Sequence, residues 1–259
     1  MTQFALEIEY DGAGFFGWQR QKSGVSVQAV LEAAAAKLGG PATSVTAGRT
    51  DSGVHAAGQV VGLRLDRDIA PAKLAEALNF HMRPHRVVVL RVAIAPLDWS
   101  ARFSAIERAY CYRILNRKSP AALEAGRAWH VMRPLDVAAM REGALALLGR
   151  HDFTSFRATA CQAKSPIRTV DRLEIARDGE MISVHVTARA FLHHQVRNMV
   201  GSLKLVGEGR WPVAQIAEAL AARDRCAAGP TAPADGLYLM SVRYPVDPFA
   251  ACPPAAISC

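Results

Sequence analysis

The segment Thr43–Leu65, TSVTAGRTDSGVHAAGQVVGLRL, has the pattern of two strands joined by a turn. TSVTAG and GQVVGLRL are both typical of strands, and the residues between them include the turn formers Gly48 and Gly53. Because no helical pattern separates the two strands, we expect them to follow one another directly in an antiparallel sheet.

This turn also carries an unusual concentration of charge. Arg49, Asp51 and His55 lie within seven residues of one another. The turn is either a plain connection between two strands or a rigid loop that presents one carboxylate at a fixed point, with a cation nearby that keeps it ionised. The spacing alone leaves both interpretations open.

On either side of this segment, the pattern alternates between strands and helices. FALEIEY, from Phe4, alternates as a strand does, and SVQAVLEAAAAKLGGP has apolar residues at helical spacing after a Ser26 cap. PAKLAEALNF, with Pro71 in its first turn, predicts a second helix, and RVVVLRVAIA predicts a buried strand. The predicted order of the first half is therefore β-α-β-β-α-β.

The second half of the chain repeats this order. RFSAIERAYCYRIL predicts a strand, LDVAAMREGALALLG a helix that opens at Asp136, and VDRLEIARDG with EMISVHVTA a hairpin. HHQVRNMVGSLKLVG and WPVAQIAEALAARD predict helices, and GLYLMSVRY predicts the closing strand. We therefore expect an α+β fold of two ferredoxin-like subdomains, with antiparallel sheets side by side, helices on one face and a basic cleft on the other. The predicted domains are residues 1–98 and 99–245, followed by a Pro/Ala-rich tail, 246–259, expected to lack structure.

The composition favours a globular protein that binds a polyanion. The 259 residues are 51% hydrophobic and 21% charged, and 31 Lys and Arg against 23 Asp and Glu give a net charge of +8. We expect no membrane-spanning segment and no signal peptide, and hence a cytoplasmic protein. Five cysteines without a C-x-x-C spacing indicate reduced thiols rather than disulfides or a zinc site.

Two further segments have the composition of an RNA-binding surface. In residues 10–24, three aromatic residues alternate with two cations among glycines, as stacking platforms and phosphate-binding cations do: Phe15, Phe16 and Trp18 with Arg20 and Lys22. The polar segment 151–172 carries Arg157 and Arg168, which could contact a phosphodiester chain. The alternatives are a core-filling loop for the first segment and a solvated surface loop for the second.

No metal site is expected from the histidines. His193 and His194 are adjacent and so point to different faces of a helix, and Pro84 separates His81 from His85. We therefore expect neither pair to bind a metal ion.

Taken together, these segments resemble the tRNA pseudouridine synthases of the TruA family over about residues 4–244. The resemblance depends on their order along the chain, since any one of them alone is weak. The matching stretches are EYDG with FFGWQRQ, AGRTDSGVHA with GQVV, ARFSA with AYCYRILN, HDFTSFRA, SPIRTV, FLHHQVRNMVGSL and GLYLMSVRYP.

The resemblance implies isomerisation of uridine to pseudouridine at tRNA positions 38, 39 and 40, in the anticodon stem-loop, without a cofactor or metal. The family's nucleophilic aspartate corresponds to Asp51, its aromatic partner to Tyr110 and its active-site arginine to Arg197. Arg49 is expected to bind the RNA backbone, and Leu237 to contact the substrate. The resemblance also implies a homodimer that binds the anticodon arm.

This chemistry requires an accessible nucleotide and an ionised acid. A uridine stacked in a helix hides its reacting atoms, so it must be flipped out, at a cost of a few kcal/mol. An ordinary aspartate, with a pKa of about 3.9, is ionised at pH 7 and could attack C1′, attack C6 or take the 2′ proton. An ordinary tyrosine, with a pKa of about 10, is almost entirely protonated, so Tyr110 could stack or relay a proton through water.

Two other functions fit part of the same pattern. A non-catalytic RNA-binding module would need only the basic charge and the aromatic-basic loop. A hydrolytic N-glycosidase would also need a carboxylate, but it would release free uracil.

Overall fold

The computed structural model describes residues 1–39 and 42–250, which form a mixed α+β structure with ten strands and five α-helices. These residues form two compact units. The first unit is Met1–Arg108 together with the segment from Leu239 onward, and the second unit is Ala109–Tyr238. The structure thus places the first division at residue 108 and assigns most of the closing strand to the first unit. The domains predicted as 1–98 and 99–245 remain a prediction.

The first unit contains the predicted order of strands and helices. Strand β1 pairs antiparallel with both β3 and β4, β2 pairs antiparallel with β3, and β10 lies next to β3. The elements are β1 (Thr2–Tyr10), α1 (Val27–Ala36), β2 (Thr43–Thr46), β3 (His55–Leu65), α2 (Pro71–His81), β4 (Val87–Ile94) and β10 (Leu237–Arg243).

Local sequence explains where these elements begin. Helix α1 starts after Ser26, whose hydroxyl accepts a hydrogen bond from Ala29 N at 3.2 Å, as the predicted cap requires. Helix α2 starts at Pro71, whose fixed φ suits the first helical turn. Both predicted helix starts are confirmed.

One face of this sheet is covered by irregular segments. Ala5 of β1 and Val60 of β3 pack in one buried cluster with Tyr244 and Phe249, and Trp99 packs against it. Phe249 belongs to the tail that was predicted to lack structure. The Phe249 side chain is buried, so the described part of the tail, residues 246–250, differs from the expectation at this residue. Residues 251–259 lie outside the described part of the chain.

The second unit has its own strands and helices. Strands β9, β8 and β7 follow β5 in the order β5-β9-β8-β7, and β6 pairs parallel with β5. The elements are β5 (Glu107–Asn116), β6 (Trp129–Val131), α3 (Val137–Leu145), β7 (Gly149–Asp152), β8 (Ile167–Asp178), β9 (Met181–Ala188), α4 (Gln195–Gly207) and α5 (Gln215–Ala222).

The second unit differs from the sequence-based expectation in the segment 151–172. Residues 151 and 152 are the last two of β7, a 3₁₀ turn spans Thr154–Phe156, and β8 begins at Ile167. Phe153 and Phe156 are fully buried. The segment is therefore anchored by two aromatic side chains and is not a purely solvated loop.

Within the described residues, every helix is too short or too polar to span a bilayer.

Candidate active site

Asp51 lies in the turn between β2, which ends at Thr46, and β3, which begins at His55. Val54 N donates to Asp51 O at 3.1 Å, and Gly53 has a positive φ of 80°, which a glycine adopts without strain. Asp51 itself is partly exposed, Arg49 is exposed, and Thr50 between them is buried. The turn thus directs two charged residues outward and one hydroxyl inward.

A second loop, residues 11–18, braces this turn through its backbone. Trp18 N donates to Thr50 O at 3.0 Å, and Gly53 N donates to Phe15 O at 3.3 Å. The Ser52 hydroxyl donates to the same Phe15 carbonyl at 3.1 Å. The residues on both sides of Asp51 are therefore bonded to one neighbouring loop.

Two glycines allow the loops to come this close. A Cβ atom placed on Gly12 would overlap the carbonyl group of Val54. A Cβ atom on Gly17 would lie 2.7 Å from Thr50 O, and Gly17 has a positive φ of 78°. Gly12 and Gly17 thus allow close backbone packing.

Buried polar side chains also bond to the residues before Asp51. Gln59 Nε2 donates to Gly48 O at 2.7 Å, and Arg108 Nη2 donates to Ala47 O at 2.7 Å. The Tyr10 and Thr50 hydroxyls are 2.7 Å apart. These partners were not apparent from the sequence, because they come from β1, β3 and β5.

An acidic residue fixes the start of the 11–18 loop. Asp11 accepts from Ala13 N at 3.0 Å and pairs with Arg86 at 2.9 Å. Burial raises the pKa of the Asp11 carboxyl, but these two partners and nearby His55 outweigh it, so the pKa lies below its ordinary value. The ionised form therefore stabilises the loop at neutral pH, and this stabilisation is lost as the pH falls through that lowered pKa.

Two of the three rings predicted to stack on bases are not at the surface. Trp18 is only 2% exposed and its ring lies 6.2 Å from that of Tyr10, and Phe15 is also buried. The Phe15 ring lies 6.2 Å from that of His85. Phe16, which is 50% exposed, is the accessible ring of this segment. Arg20 is exposed and pairs with Glu32 at 2.8 Å.

In the second unit, Tyr110 and Arg197 are both partly exposed and held by neighbours. Tyr110 lies on β5, with its ring edge-to-face against Phe191 at 5.2 Å. Arg197 lies in the first turn of α4, and its Nε donates to Ala232 O at 2.8 Å. The residue before α4, His194, has a positive φ of 63°, a conformation uncommon outside glycine and often found at functional sites.

Asn198, beside Arg197 on α4, bonds to two other segments of this unit. Its Nδ2 donates to Phe156 O at 2.8 Å, and its Oδ1 accepts from Thr231 Oγ1 at 2.7 Å. The residue after Phe156 is the predicted RNA contact Arg157. The sequence pattern did not single out Asn198, because a buried polar residue in an apolar helix has no local signal.

The other predicted contacts of the second unit differ in exposure. Arg157 and Arg168 are partly exposed. Arg168 Nη1 donates to the carbonyls of Ser165 at 3.0 Å and Ile167 at 2.6 Å. Leu237 is buried, directly after a 3₁₀ turn.

A comparison with protein families matches residues 7–104 and 144–245 to the family described as tRNA pseudouridine synthase. The chain belongs to this family. The synthase is therefore an isomerase that converts uridine to pseudouridine in tRNA, and neither a non-catalytic RNA-binding module nor a glycosidase describes it.

Curated relatives agree over nearly the full length of the synthase. Each is named tRNA pseudouridine synthase A. The protein from Acidiphilium cryptum is 64% identical over 252 residues, covering 96% of this chain and 99% of that protein. The protein from Gluconobacter oxydans is 55% identical over 253 residues, covering 96% and 92%. The protein from Rhodospirillum centenum is 56% identical over 245 residues, covering 94% and 100%.

A solved structure is also similar, but only weakly. It is described as the crystal structure of a Cbf5-Nop10-Gar1 complex, with a TM-score of 0.37 and 10% sequence identity, covering 78% of this chain and 44% of the matched chain.

Proposed function

We propose that this synthase modifies uridines 38, 39 and 40 of the tRNA anticodon stem-loop, with Asp51 as the nucleophile acting on a flipped-out base. The observation that carries the proposal is the Asp51 turn. Its backbone is bonded to the 11–18 loop on both sides of Asp51, while the Asp51 residue remains partly exposed. A fixed and accessible carboxylate is what a nucleophile in this position requires.

The proposed reaction breaks one bond of the nucleoside and forms another. The bond from N1 to C1′ breaks, the uracil ring turns, and C5 bonds to C1′, after which C5 loses its proton to a base or to water. Asp51 attacks C1′, attacks C6 or takes the 2′ proton, and these three routes use the same carboxylate. The base must leave its stack first, which costs a few kcal/mol.

In this proposal, Tyr110 and Arg197 act on the same nucleotide as Asp51. The Tyr110 ring replaces stacking that the flipped base loses, or relays the C5 proton through water. Arg197 pairs with the Asp51 carboxylate and keeps it ionised. The bond from Arg197 Nε to Ala232 O supports this role, because it fixes the plane of the guanidinium.

The remaining predicted residues form the proposed RNA-binding surface. Arg49, Arg20, Arg157 and Arg168 contact phosphates, and Leu237 contacts the substrate. We also propose a cytoplasmic homodimer and two ferredoxin-like subdomains with a basic cleft for the anticodon arm. The net charge of +8 supports a polyanionic substrate.

Pseudouridine mapping tests the proposed positions. Purified synthase is incubated with unmodified tRNAs that carry a single uridine at position 38, 39 or 40, and with one that carries none there. We expect conversion in the first three only. Conversion confined to another arm of the tRNA would contradict the proposed site.

We predict that Arg20→Ala and Arg168→Ala weaken tRNA binding more than they slow the reaction of bound tRNA. Each variant should reduce the slope of log affinity against log salt by about 0.7 to 0.9, the contribution of one phosphate contact. Filter binding over a salt series measures the slope, and single-turnover assays measure the rate.

Lys73→Ala is the matched control for Arg20→Ala. Lys73 is also an exposed cation paired with an acid, Glu76, but it belongs to α2 and not to the 10–24 segment. Its replacement should leave the slope unchanged. An unchanged slope in Arg20→Ala, with slower single-turnover conversion, would contradict the assignment of Arg20 to binding.

A further inference from the structure

We propose that Tyr10 is a positioning residue for the reaction, and that it acts by holding Thr50, the residue before Asp51. This inference rests on the proposed role of Asp51 as the nucleophile. Neither the motif around Asp51 nor the sequence of β1 assigns such a role to Tyr10.

The geometry places the Tyr10 hydroxyl directly beneath the turn. Tyr10 is 4% exposed, and its hydroxyl oxygen lies 2.7 Å from Thr50 Oγ1. Gln59 Nε2 approaches the same Tyr10 oxygen at 3.5 Å and donates to Gly48 O at 2.7 Å. Tyr10 on β1 and Gln59 on β3 thus bond to Thr50 and Gly48, which lie one and three residues before Asp51.

Packing alone does not explain a hydroxyl at this point. A phenylalanine would fill the same interior space without burying a polar atom, and a buried polar atom is costly unless it is hydrogen-bonded. A fully bonded buried pair favours one arrangement of its surroundings. Here the hydrogen bond favours one orientation of the Thr50 side chain, and thereby one position of the backbone that leads into Asp51.

The Tyr10 hydroxyl is suited to hold a position and not to transfer a proton. Burial raises the pKa of Tyr10 to about 12, although its hydrogen bonds with Thr50 and Gln59 lower it. The phenol is therefore neutral at pH 7. Its contribution to the reaction is geometric.

The other bonds near Thr50 hold its neighbours and its main chain. Trp18 N donates to Thr50 O at 3.0 Å, and Arg108 Nη2 donates to Ala47 O at 2.7 Å. The contact with Tyr10 adds a constraint on the Thr50 side chain. Loss of this constraint should leave the turn folded while allowing Asp51 to move.

The test is Tyr10→Phe, which removes one oxygen atom. We expect the single-turnover rate of bound, unmodified tRNA to fall about tenfold, since a displacement of about 1 Å in a reacting group costs up to about 100-fold. The affinity for tRNA should stay within about twofold of the original, because Tyr10 is buried.

Tyr244→Phe is the matched control. Tyr244 is 7% exposed in the same unit, and its hydroxyl donates to a backbone carbonyl, Ala101 O, at 2.8 Å. Tyr244→Phe should lower the thermal unfolding temperature about as much as Tyr10→Phe but leave the rate unchanged. A merely structural role for Tyr10 predicts equal rates for the two variants.

Variants of Thr50 test whether Tyr10 acts through the Thr50 side chain. Thr50→Val should slow the reaction as Tyr10→Phe does, Thr50→Ser should restore most of the rate, and the double variant Tyr10→Phe/Thr50→Val should be no slower than either single variant. If Asp51→Asn is inactive, the positioning role of Tyr10 is overturned by either of two results: an unchanged rate in Tyr10→Phe, or a rate in Tyr244→Phe that is as slow as that of Tyr10→Phe. Retained turnover in Asp51→Asn would instead overturn the nucleophile assignment, and this proposal with it.

Discussion

Asp51→Asn is expected to lower the single-turnover rate of uridine isomerisation by roughly 10⁴-fold or more, the scale on which enzymes lose activity when a nucleophile is removed. Asparagine has nearly the size of aspartate, so the turn should persist. Its backbone bonds, from Val54 N to Asp51 O and from Trp18 N to Thr50 O, do not use the carboxylate. The amide, however, is neither a nucleophile nor a base. Release of hydrogen label from C5 of uridine in tRNA measures the rate.

The control for Asp51→Asn is Asp68→Asn. Asp68 is an exposed acid in the connection between β3 and α2, so its replacement removes one negative charge away from the Asp51 turn. It should leave the rate unchanged, and both variants should bind tRNA at least as tightly as the original. Full conversion by Asp51→Asn, mapped as pseudouridine in the tRNA, would show that another group supplies the nucleophile.

Features determined by neighbouring residues could be predicted from the sequence. The cap at Ser26 and the cap at Asp136, which accepts from Ala139 N at 3.0 Å, each depend on a residue three positions away. The β8–β9 hairpin likewise follows from alternation along two adjacent segments. In these places, local propensity and the final structure agree.

Short strands with distant partners could not be predicted in this way. Trp129–Val131 and Gly149–Asp152 are three and four residues long, too short to show alternation. The first pairs parallel with β5, starting opposite Ile114, a partner outside any local window. Each of these short strands pairs with a longer one, β5 or β8, and a window of three or four residues does not reveal that partner.

The surroundings of Asp51 show the same limit. The sequence singled out Asp51 and predicted that Phe15, Phe16 and Trp18 stack on bases, because the glycines nearby were expected to keep these rings from ordinary strand packing. Of the three, Phe16 is exposed, whereas Phe15 and Trp18 are buried. Gly12 and Gly17 in fact allow the loop backbone to pack against the turn. Tyr10 contacts Thr50 across 40 residues of sequence, so no periodic pattern could indicate it.

Gly12→Ala is expected to lower both the stability and the activity of the enzyme. The new Cβ would overlap the Val54 carbonyl group and lie 2.9 Å from the carbonyl carbon of Gly53. These are backbone atoms that cannot turn aside as a flexible side chain would, so the loop and the turn must separate. We expect a loss of about 3 kcal/mol in the free energy of unfolding, the upper end of the usual range for overpacked sites. Displacement of the Asp51 turn should also slow isomerisation by about 100-fold.

Gly14→Ala separates this clash from the ordinary cost of replacing a loop glycine. Gly14 lies in the same loop with a positive φ of 88°, and a Cβ placed there meets nothing within 4 Å. Alanine at this position should cost about 1 to 2 kcal/mol through backbone strain alone, with little change in rate. Denaturant unfolding and single-turnover assays compare the two variants. If Gly14→Ala slowed the reaction as much as Gly12→Ala, the close approach of Gly12 to the Asp51 turn would not explain the loss of activity. The conformational freedom of the loop would explain it instead.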